Sequence, residues 1–271
     1  MGKTVELSLA NYLDMVKGSA LNLVEVSALL LCLSLWINRK RPRAVLDALR
    51  AKSIRFNLIV AAIDMATILL PLAAIATVVT GFVNRHGLTL FSHMEAKGIT
   101  YFVIGFAAVF VGDFAAYWRH RLEHYGWFWK SHVMHHSDRQ LNWTTVYRFH
   151  PINRLTTVLI DGGALALIGF PAWAIVLNGF VRHYYGIFVH INQPWTLGWA
   201  GNILVSPAMH RWHHVLEGQG VGKNFASVFS IFDRVFGTRY CPGPCTVPLG
   251  VEGVGDGQML EQYALPFRRA G

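Results

Sequence analysis

The chain has 271 residues, of which 53% are hydrophobic and only 14% are charged, and its formal net charge is +9. Soluble domains carry about 25% charged residues, so this composition excludes a typical soluble domain and indicates a protein whose solvent is partly lipid. The basic residues cluster beside apolar runs, which favours a membrane surface over a nucleic acid as their partner.

Three apolar runs are long enough to cross a bilayer as helices, which takes about 20 residues. They lie at 19–37, 57–83 and 99–118. A fourth apolar region, 155–190, contains Gly169 near its middle, and we expect it to form a tight helical hairpin that turns there. The polar N-terminus carries Glu6 and Asp14, and no cleavage motif follows the first run, so we expect the first span to be retained.

The distribution of Lys and Arg predicts the orientation. These residues are dense in 38–55 and 119–154 and sparse in 84–98. Because positively charged loops stay in the cytoplasm, we expect 119–154 to be cytoplasmic, and the hairpin returns the chain to the same side. The predicted fold is therefore all-α, a polytopic membrane helical bundle with a cytoplasmic histidine-rich cap.

Three regions follow from this arrangement. Residues 1–98 contain the first two spans, residues 99–240 form the histidine-rich domain, and residues 241–271 are a C-terminal tail. Cys241 and Cys245 open the tail. A single C-x3-C pair is weak evidence for zinc, so we expect free thiols in a reducing compartment.

The chain contains 13 histidines, and most of those beyond the second span fall into three clusters. The clusters are His120 and His124 in HRLEH, then His132, His135 and His136 in SHVMHH, then His210, His213 and His214 in MHRWHH. Residues three and four apart project from one face of a helix, and neutral imidazole is a good ligand for iron, zinc and copper. One zinc uses four ligands at most, so these clusters suit two metals with overlapping sets of ligands.

Three other interpretations compete with a two-metal site. HRLEH also spells H-x-x-E-H, a zinc peptidase motif, but that motif accounts for only His120 and His124. A membrane metal transporter would use histidines as relays, yet transport predicts polar residues at midplane depth along several spans, whereas these histidines gather at one end. Ordinary surface histidines would explain one pair but not three ordered clusters.

Several further residues are candidates for supporting roles. Asp113 shares a helical stripe with Tyr117, His120 and His124, and a carboxylate inside an apolar span indicates function. We expect Asp113 to accept the free N–H of a ligating histidine and so to fix its tautomer. Glu123 either serves in the same way or pairs with a nearby arginine.

Single histidines outside the clusters are assigned by position. His190 ends the second arm of the hairpin and is expected to be a ligand, and His183 lies two turns earlier on the same face. His150 begins the first arm and is expected to be a ligand or to support one. Asp64 and Asp161 lie within apolar runs and have no assigned role. The aromatic segment 224–236 carries few charges and is expected to wall the site.

Taken in order around a membrane hairpin, H-x3-H, H-x2-HH and H-x2-HH resemble the fatty acid hydroxylase/sterol desaturase superfamily. The likeness covers roughly 100–240 and extends to the surrounding residues. It includes DFAAYWRHRLEH (113–124), SHVMHHSD (131–138), RFHP (148–151), FVHIN (188–192) and FDRVFGT (232–238).

The resemblance implies a non-haem di-iron centre with molecular oxygen as co-substrate, in which zinc can replace iron on purification. The implied metal ligands are His120, His124, His132, His135, His136, His190, His210, His213 and His214. The implied activity is an oxidoreductase that hydroxylates or desaturates a lipid, namely a sterol, a fatty acyl chain or a related apolar molecule. The sequence has no haem-attachment or iron–sulfur motif, so we expect a separate reductase or small redox carrier as electron donor.

Overall fold

The computed structural model describes residues 9–37, 39, 43, 50–86, 91, 97–255 and 258–268. Across these residues helices dominate, and β structure is confined to two isolated bridges, Val215 with Leu249 and Val251 with Val254. The all-α class expected from the sequence is confirmed.

Long helices form the first half of the described chain. In order they are α1 (Leu9–Ile37), α2 (Lys52–Ile63), a π-helical turn (Asp64–Ile68), α3 (Leu69–His86) and α4 (Ile99–Glu123). The segments Val16–Trp36, Lys52–Val83 and Ile99–Glu123 are each long and apolar enough to cross a membrane. The helix that contains the run 99–118 thus continues through His120, so the third span carries the first histidine cluster directly.

A helical hairpin follows the third span. Its first arm consists of α6 (Pro151–Thr156), a π-helical turn (Thr157–Gly162) and α7 (Gly163–Ile168), and its second arm is α8 (Ala172–His190). The chain reverses at Gly169, whose φ of 89° is accessible to glycine at little cost. The first arm begins at Pro151, earlier than 155, because proline suits the first helical position and the His150 ring accepts a hydrogen bond from the Ile152 N–H.

The third span packs closely against the second arm of the hairpin. A side chain at Gly112 would collide with the amide of Asn178, and one at Gly105 would collide with Leu177, so both glycines allow the two helices to approach. The lipid-facing sides stay apolar: Phe102 and Phe106 on α4 are 75% and 62% exposed. A bilayer is the solvent that such a surface requires.

Shorter helices build a cap at one end of this bundle. They are α5 (Gly126–His136), α9 (Pro207–His213), α10 (Ile231–Val235), α11 (Met259–Ala264) and the 3-10 helices Trp143–Tyr147, Gly198–Asn202 and Leu265–Phe267. An apolar cluster joins the cap to α4 and α8. Its buried members are Tyr117, Val189, Val205, Met209, Phe225, Ala226 and Phe232. The C-terminal residues pack on the cap as well, because Leu249 contacts the cluster of Leu141 and Val215.

Candidate metal centre

Nine imidazoles converge where α4 and α8 meet the cap, and they form two groups. The first group is His120, His124, His132, His136 and His213, and the second is His135, His190, His210 and His214. Within each group the potential ligand nitrogens all lie within 4.8 Å of one another. All nine rings are buried except that of His124, which is half-buried. They are the nine residues that the family resemblance implied as metal ligands.

The two groups adjoin because neighbouring residues in the chain belong to different groups. His135 and His136 are consecutive at the end of α5, and His213 and His214 are consecutive at the end of α9, yet each pair is divided. Successive residues of a helix diverge by about 100°, so each H-x-x-H-H motif serves both groups instead of presenting three rings to one. The rings of His136 and His214 stack across the boundary with centroids 4.3 Å apart.

The helix termini that carry these rings are well defined. Ser206 caps α9, since its side chain accepts a hydrogen bond from the Met209 N–H, and Pro207 occupies the first helical position. His214 is the C-terminal cap of α9, and His124 is that of α4. The end of each of these two helices fixes the backbone direction at the cap residue, and so it positions the rings of His124 and His214.

Backbone carbonyls fix the tautomer of four of the rings. Carbonyl oxygens accept hydrogen bonds from Nδ1 of His120 (Phe225, 2.7 Å), His135 (Arg148, 3.3 Å), His190 (Gly186, 2.6 Å) and His213 (Lys223, 2.6 Å). A carbonyl can only accept, so Nδ1 carries the proton and Nε2 keeps a lone pair. Each of these rings therefore offers Nε2 as a ligand atom.

Lone pairs of such rings face each other in both groups. The Nε2 atoms of His120 and His213 are 3.0 Å apart in the first group, and those of His135 and His190 are 3.3 Å apart in the second. Two bare lone pairs at this distance repel unless a cation lies beside both. Metal–nitrogen bonds of about 2.1 Å separate neighbouring ligand nitrogens by about 3 Å, so the residues of both groups fit a metal ion.

The pKa values of the clustered histidines agree with a ligand role. Burial, followed by repulsion from neighbouring imidazoles, holds the pKa values of His132, His136 and His214 well below the usual range. Burial likewise lowers the pKa of His213 to about 4. The rings are therefore neutral near pH 7, which is the form that binds metal.

A buried chain of charges runs from the first histidine group along the hairpin. Glu123 accepts hydrogen bonds from Arg119 (2.8 Å) and Thr156 (2.5 Å), and one of its oxygens lies 3.4 Å from Nδ1 of His132. Arg119 continues to Asp161 at 2.9 Å, and Asp161 accepts a second hydrogen bond from Arg182 at 2.7 Å. Glu123 thus both pairs with an arginine and faces a histidine of the centre.

The structure locates Asp113, His150 and His183 away from the nine rings. The Asp113 carboxylate accepts hydrogen bonds from the backbone N–H groups of Val228 (3.0 Å) and Phe229 (2.7 Å) instead of from a histidine. His150 caps α6, and its Nε2 lies 3.1 Å from the Tyr263 carbonyl oxygen. His183 contacts the ring of Tyr147. The Glu123 side chain, not that of Asp113, is the carboxylate that reaches a clustered ring.

Three aromatic rings flank the centre, and one of them, Trp129, contacts the rings of His124 and His136 with centroids 5.1 and 5.3 Å apart. Phe225 contacts the rings of His120, His124 and His213, with centroids 5.1–5.8 Å apart. This contact agrees with the expectation that 224–236 walls the site. Phe149 stacks on His135 at 4.2 Å with an interplanar angle of 12°, and it was not singled out from the sequence. Its position one residue before His150, in the RFHP motif, was the available signal.

Comparison with known proteins agrees with this geometry. Residues 105–238 match the family model described as fatty acid hydroxylase, and this stretch holds all nine clustered histidines. The chain carries a fatty acid hydroxylase domain. The resemblance drawn from the histidine motifs is confirmed, and the three candidate spans together with this family make the chain an integral membrane protein.

Several known proteins are similar to the chain that carries this fatty acid hydroxylase domain. The ornithine lipid hydroxylase OlsE of Rhizobium tropici is 31% identical over 59% of the chain and 49% of its own length. Alkylglycerol monooxygenase of Homo sapiens is 34% identical over 48% of the chain and 29% of its own length. Methylsterol monooxygenase 1-3 of Arabidopsis thaliana is 30% identical over 57% of the chain and 52% of its own length.

The chain thus spans about half the length of the first of these relatives and less of the alkylglycerol monooxygenases. No solved structure matches it. The names of the relatives have one theme in common, the insertion of oxygen into lipids.

Proposed function

We propose that the chain is a membrane-bound, oxygen-dependent di-iron oxidoreductase that hydroxylates a lipid. The observation that carries this proposal is the pair of adjoining histidine groups, five rings and four rings, each with ligand nitrogens in metal-binding range. The similarity to lipid hydroxylases and monooxygenases supports hydroxylation over desaturation.

Two irons held by these groups would supply the oxidising power: one atom of O2 enters a C–H bond of the lipid, and the other leaves as water with two electrons and two protons from a donor. The remaining tasks belong to the protein. It has to hold the reacting carbon near the metals, keep the imidazoles neutral and oriented, and exclude water.

The side chains around the centre are suited to those tasks. The carbonyls of Phe225, Gly186 and Lys223 hold the Nδ1 protons of three rings, which aims their Nε2 atoms inward. Phe225 and Phe149 cover the rings with apolar surface and limit the access of water. The charge of Glu123 beside His132 favours a protonated Nδ1 on that ring, leaving its Nε2 to bind.

The same contacts argue against the peptidase interpretation of HRLEH. A peptidase of that type needs its glutamate beside the metal-bound water. Glu123 is fully buried, and its oxygens already accept hydrogen bonds from Arg119 and Thr156. Transport is disfavoured in turn, because the nine histidines form one buried centre instead of a path along the spans.

We propose further that the metal centre faces the cytoplasm and receives its electrons from a separate reductase or small redox carrier. The basic segment 119–154, which includes α5, supports the orientation. The lack of any haem-attachment or iron–sulfur motif in the sequence supports an external donor.

Comparative lipid mass spectrometry tests the proposal. Membranes from cells that express the chain are compared with membranes from cells that express His135→Ala, a change within the second group. We expect a lipid with one added oxygen atom in the first sample only, with equal amounts of both proteins in the membrane. Metal analysis of the purified chain should give two irons per chain, and identical lipid profiles from well-loaded protein would contradict the proposed activity.

A further inference from the structure

A second feature of the membrane region is a cavity of about 520 Å³ between the first two spans. One side is formed by α1 at Gly18 and Asn22, and another by the π-helical turn at Asp64 and Ile68. Both flanking segments are long and apolar enough to cross a membrane. An occupant of this cavity therefore reaches it from the bilayer, which makes a lipid the natural ligand.

The cavity has a polar wall, which is unusual between two such helices. Asp64 forms an ion pair with Arg154 at 3.0 Å, and Arg154 also donates to the Tyr147 carbonyl at 3.2 Å. Charged groups within a span are costly and mark functional sites. In addition, the helix is π-helical at Asp64–Ile68, and π-helical turns are frequent at functional sites.

Two residues that line the cavity each have a buried polar atom without a hydrogen-bond partner among the described residues. These atoms are the second carboxylate oxygen of Asp64, Oδ1, and the hydroxyl of Tyr147. The Arg154 guanidinium already neutralises the Asp64 carboxylate, but the free oxygen can still accept a hydrogen bond. An anionic group would be repelled by that oxygen, whereas a group that donates hydrogen bonds would satisfy it.

The cavity lies one aromatic ring away from the metal centre. Arg154 lies over the ring of Phe149 at 5.1 Å, and Phe149 stacks on His135 at 4.2 Å. On the other side, Tyr147 contacts His183, which also lines the cavity. Arg154 and Phe149 thus connect Asp64 to the second histidine group by successive contacts.

We propose that this cavity binds a lipid through a headgroup that donates hydrogen bonds, a hydroxyl or an ammonium, to Asp64 and Tyr147. The apolar part of the lipid lies against Met65, Leu69 and Leu72, which also line the cavity. The identification of the bound lipid as the substrate rests on the proposed function. The binding itself does not, because it can be measured without turnover.

Lipid binding to the full-length, metal-loaded chain in nanodiscs tests the inference, with native mass spectrometry as the readout. Two matched pairs of probes are used: dioleoylphosphatidylethanolamine against dioleoylphosphatidylcholine, and dioleoylglycerol against its O-methyl ether. The first member of each pair donates hydrogen bonds and the second does not. We expect a preference of about tenfold or more for the donor in at least one pair, the worth of a hydrogen bond to a charged group. The pair that discriminates identifies the ammonium or the hydroxyl.

Two variants and one control locate the effect. Asp64→Asn and Tyr147→Phe should each reduce the preference several-fold. If Asp64→Asn fails to fold, Tyr147→Phe still tests the inference, because it leaves the ion pair of Asp64 with Arg154 intact. Glu25→Gln alters an exposed carboxylate on α1 and should keep the preference. The inference is overturned if neither pair is discriminated, or if both variants bind as the unaltered chain does. Failure of the proposed function would instead appear as normal lipid binding without any oxidised product.

Discussion

At the scale of single residues, the imidazoles of the centre are held by their Nδ1 atoms. Four rings donate Nδ1–H to backbone carbonyls, so the main chain determines which nitrogen faces inward. Main-chain support of this kind is insensitive to side-chain substitution elsewhere. The division of roles among the histidines can therefore be tested one ring at a time.

His190→Ala should remove one member of the second group and leave the first group intact, because His190 is the contribution of α8 and belongs only to that group. We expect the metal content of the purified protein to fall from two ions per chain towards one, as measured by inductively coupled plasma mass spectrometry. His150→Ala is the matched control. It removes a buried histidine that caps α6, so it should cost about 1 kcal/mol of stability while both ions remain. Equal metal loss in the two variants would contradict the grouping.

Glu123→Gln should weaken metal binding without removing a ring of the centre. The amide lacks the charge that faces Nδ1 of His132 and pairs with Arg119, and loss of such support typically reduces metal affinity about 10–100-fold. Chelator competition measures the change. Glu261→Gln, at an exposed position on α11, should titrate like the unaltered chain, and an unchanged affinity in Glu123→Gln would rule out this role.

The sequence identified the rings better than it identified their supports. Spacing named eight of the nine rings that the structure gathers, because H-x-x-x-H and H-x-x-H-H are local patterns. The ninth, His190, was predicted from its position at the end of the hairpin. Asp113 was expected to support a histidine, but its carboxylate binds the N–H groups of Val228 and Phe229. That contact joins residues more than a hundred positions apart, and no local pattern reports it.

At the scale of elements, the distance between α4 and α8 depends on small residues. The amide of Asn178 occupies the space that a side chain at Gly112 would need, with its Oδ1 2.3 Å from the position of an added Cβ. The two helices carry His120, His124 and His190, so their separation determines how the two histidine groups meet.

Gly112→Ala should therefore destabilise the protein by roughly 1–3 kcal/mol, the usual cost of overpacking. Gly179→Ala is the control, since nothing lies within 4 Å of an added Cβ there, and alanine in an open helical position stabilises by up to about 1 kcal/mol. Thermal unfolding in detergent, followed by circular dichroism, compares the two. The double variant Gly112→Ala/Asn178→Ala should recover much of the loss, and failure to do so would place the strain elsewhere.

Helix existence was predictable at this scale, but helix interruptions were not. The apolar runs and Gly169 predicted the spans and the position of the turn. The π-helical turns at Asp64–Ile68 and Thr157–Gly162 leave no mark in hydropathy, because one extra residue in a turn does not change composition. They stand beside Asp64 and Asp161, the two carboxylates that the sequence left without a role.

At the scale of the whole molecule, the histidine centre lies at one end of a bundle of apolar helices. A network around Asp138 ties the start of α2 to the cap: Asp138 accepts hydrogen bonds from Ser53 (2.6 Å), Asn57 (3.1 Å) and Thr145 (2.6 Å). Burial acts to raise the pKa of Asp138, but the nearby Arg148 and these hydrogen bonds lower it overall. The second span and the cap thus act as one unit.

Membrane orientation can be tested on intact cells. A green fluorescent protein fused after residue 268 should fluoresce, because it folds in the cytoplasm, while an export-dependent phosphatase at the same position should be inactive. The reason is the basic segment 119–154 on the same side as the cap. An active phosphatase and a dark fluorescent fusion would reverse the proposed orientation and leave the metal centre itself untouched.

Composition alone predicted membrane residence, since 14% charged residues is too few for a soluble surface. It did not predict that residues after 240 fold back, because contacts such as Leu249 with Val215 depend on tertiary packing. It also gave no sign of the cavity at Asp64, which exists only where α1, the π-helical turn and the hairpin meet.

The division of consecutive histidines between the two groups also limits how the metal centre can be lost during evolution. Loss of either H-x-x-H-H motif would remove rings from both groups at once. A protein that loses such a motif therefore cannot lose one metal site and keep the other complete. His120, His124 and His190 lie outside those two motifs, so the loss of any of them removes a ring from one group and leaves the other group intact. Relatives that have lost either H-x-x-H-H motif should therefore be scaffolds or pseudoenzymes, and they should not retain one intact metal site.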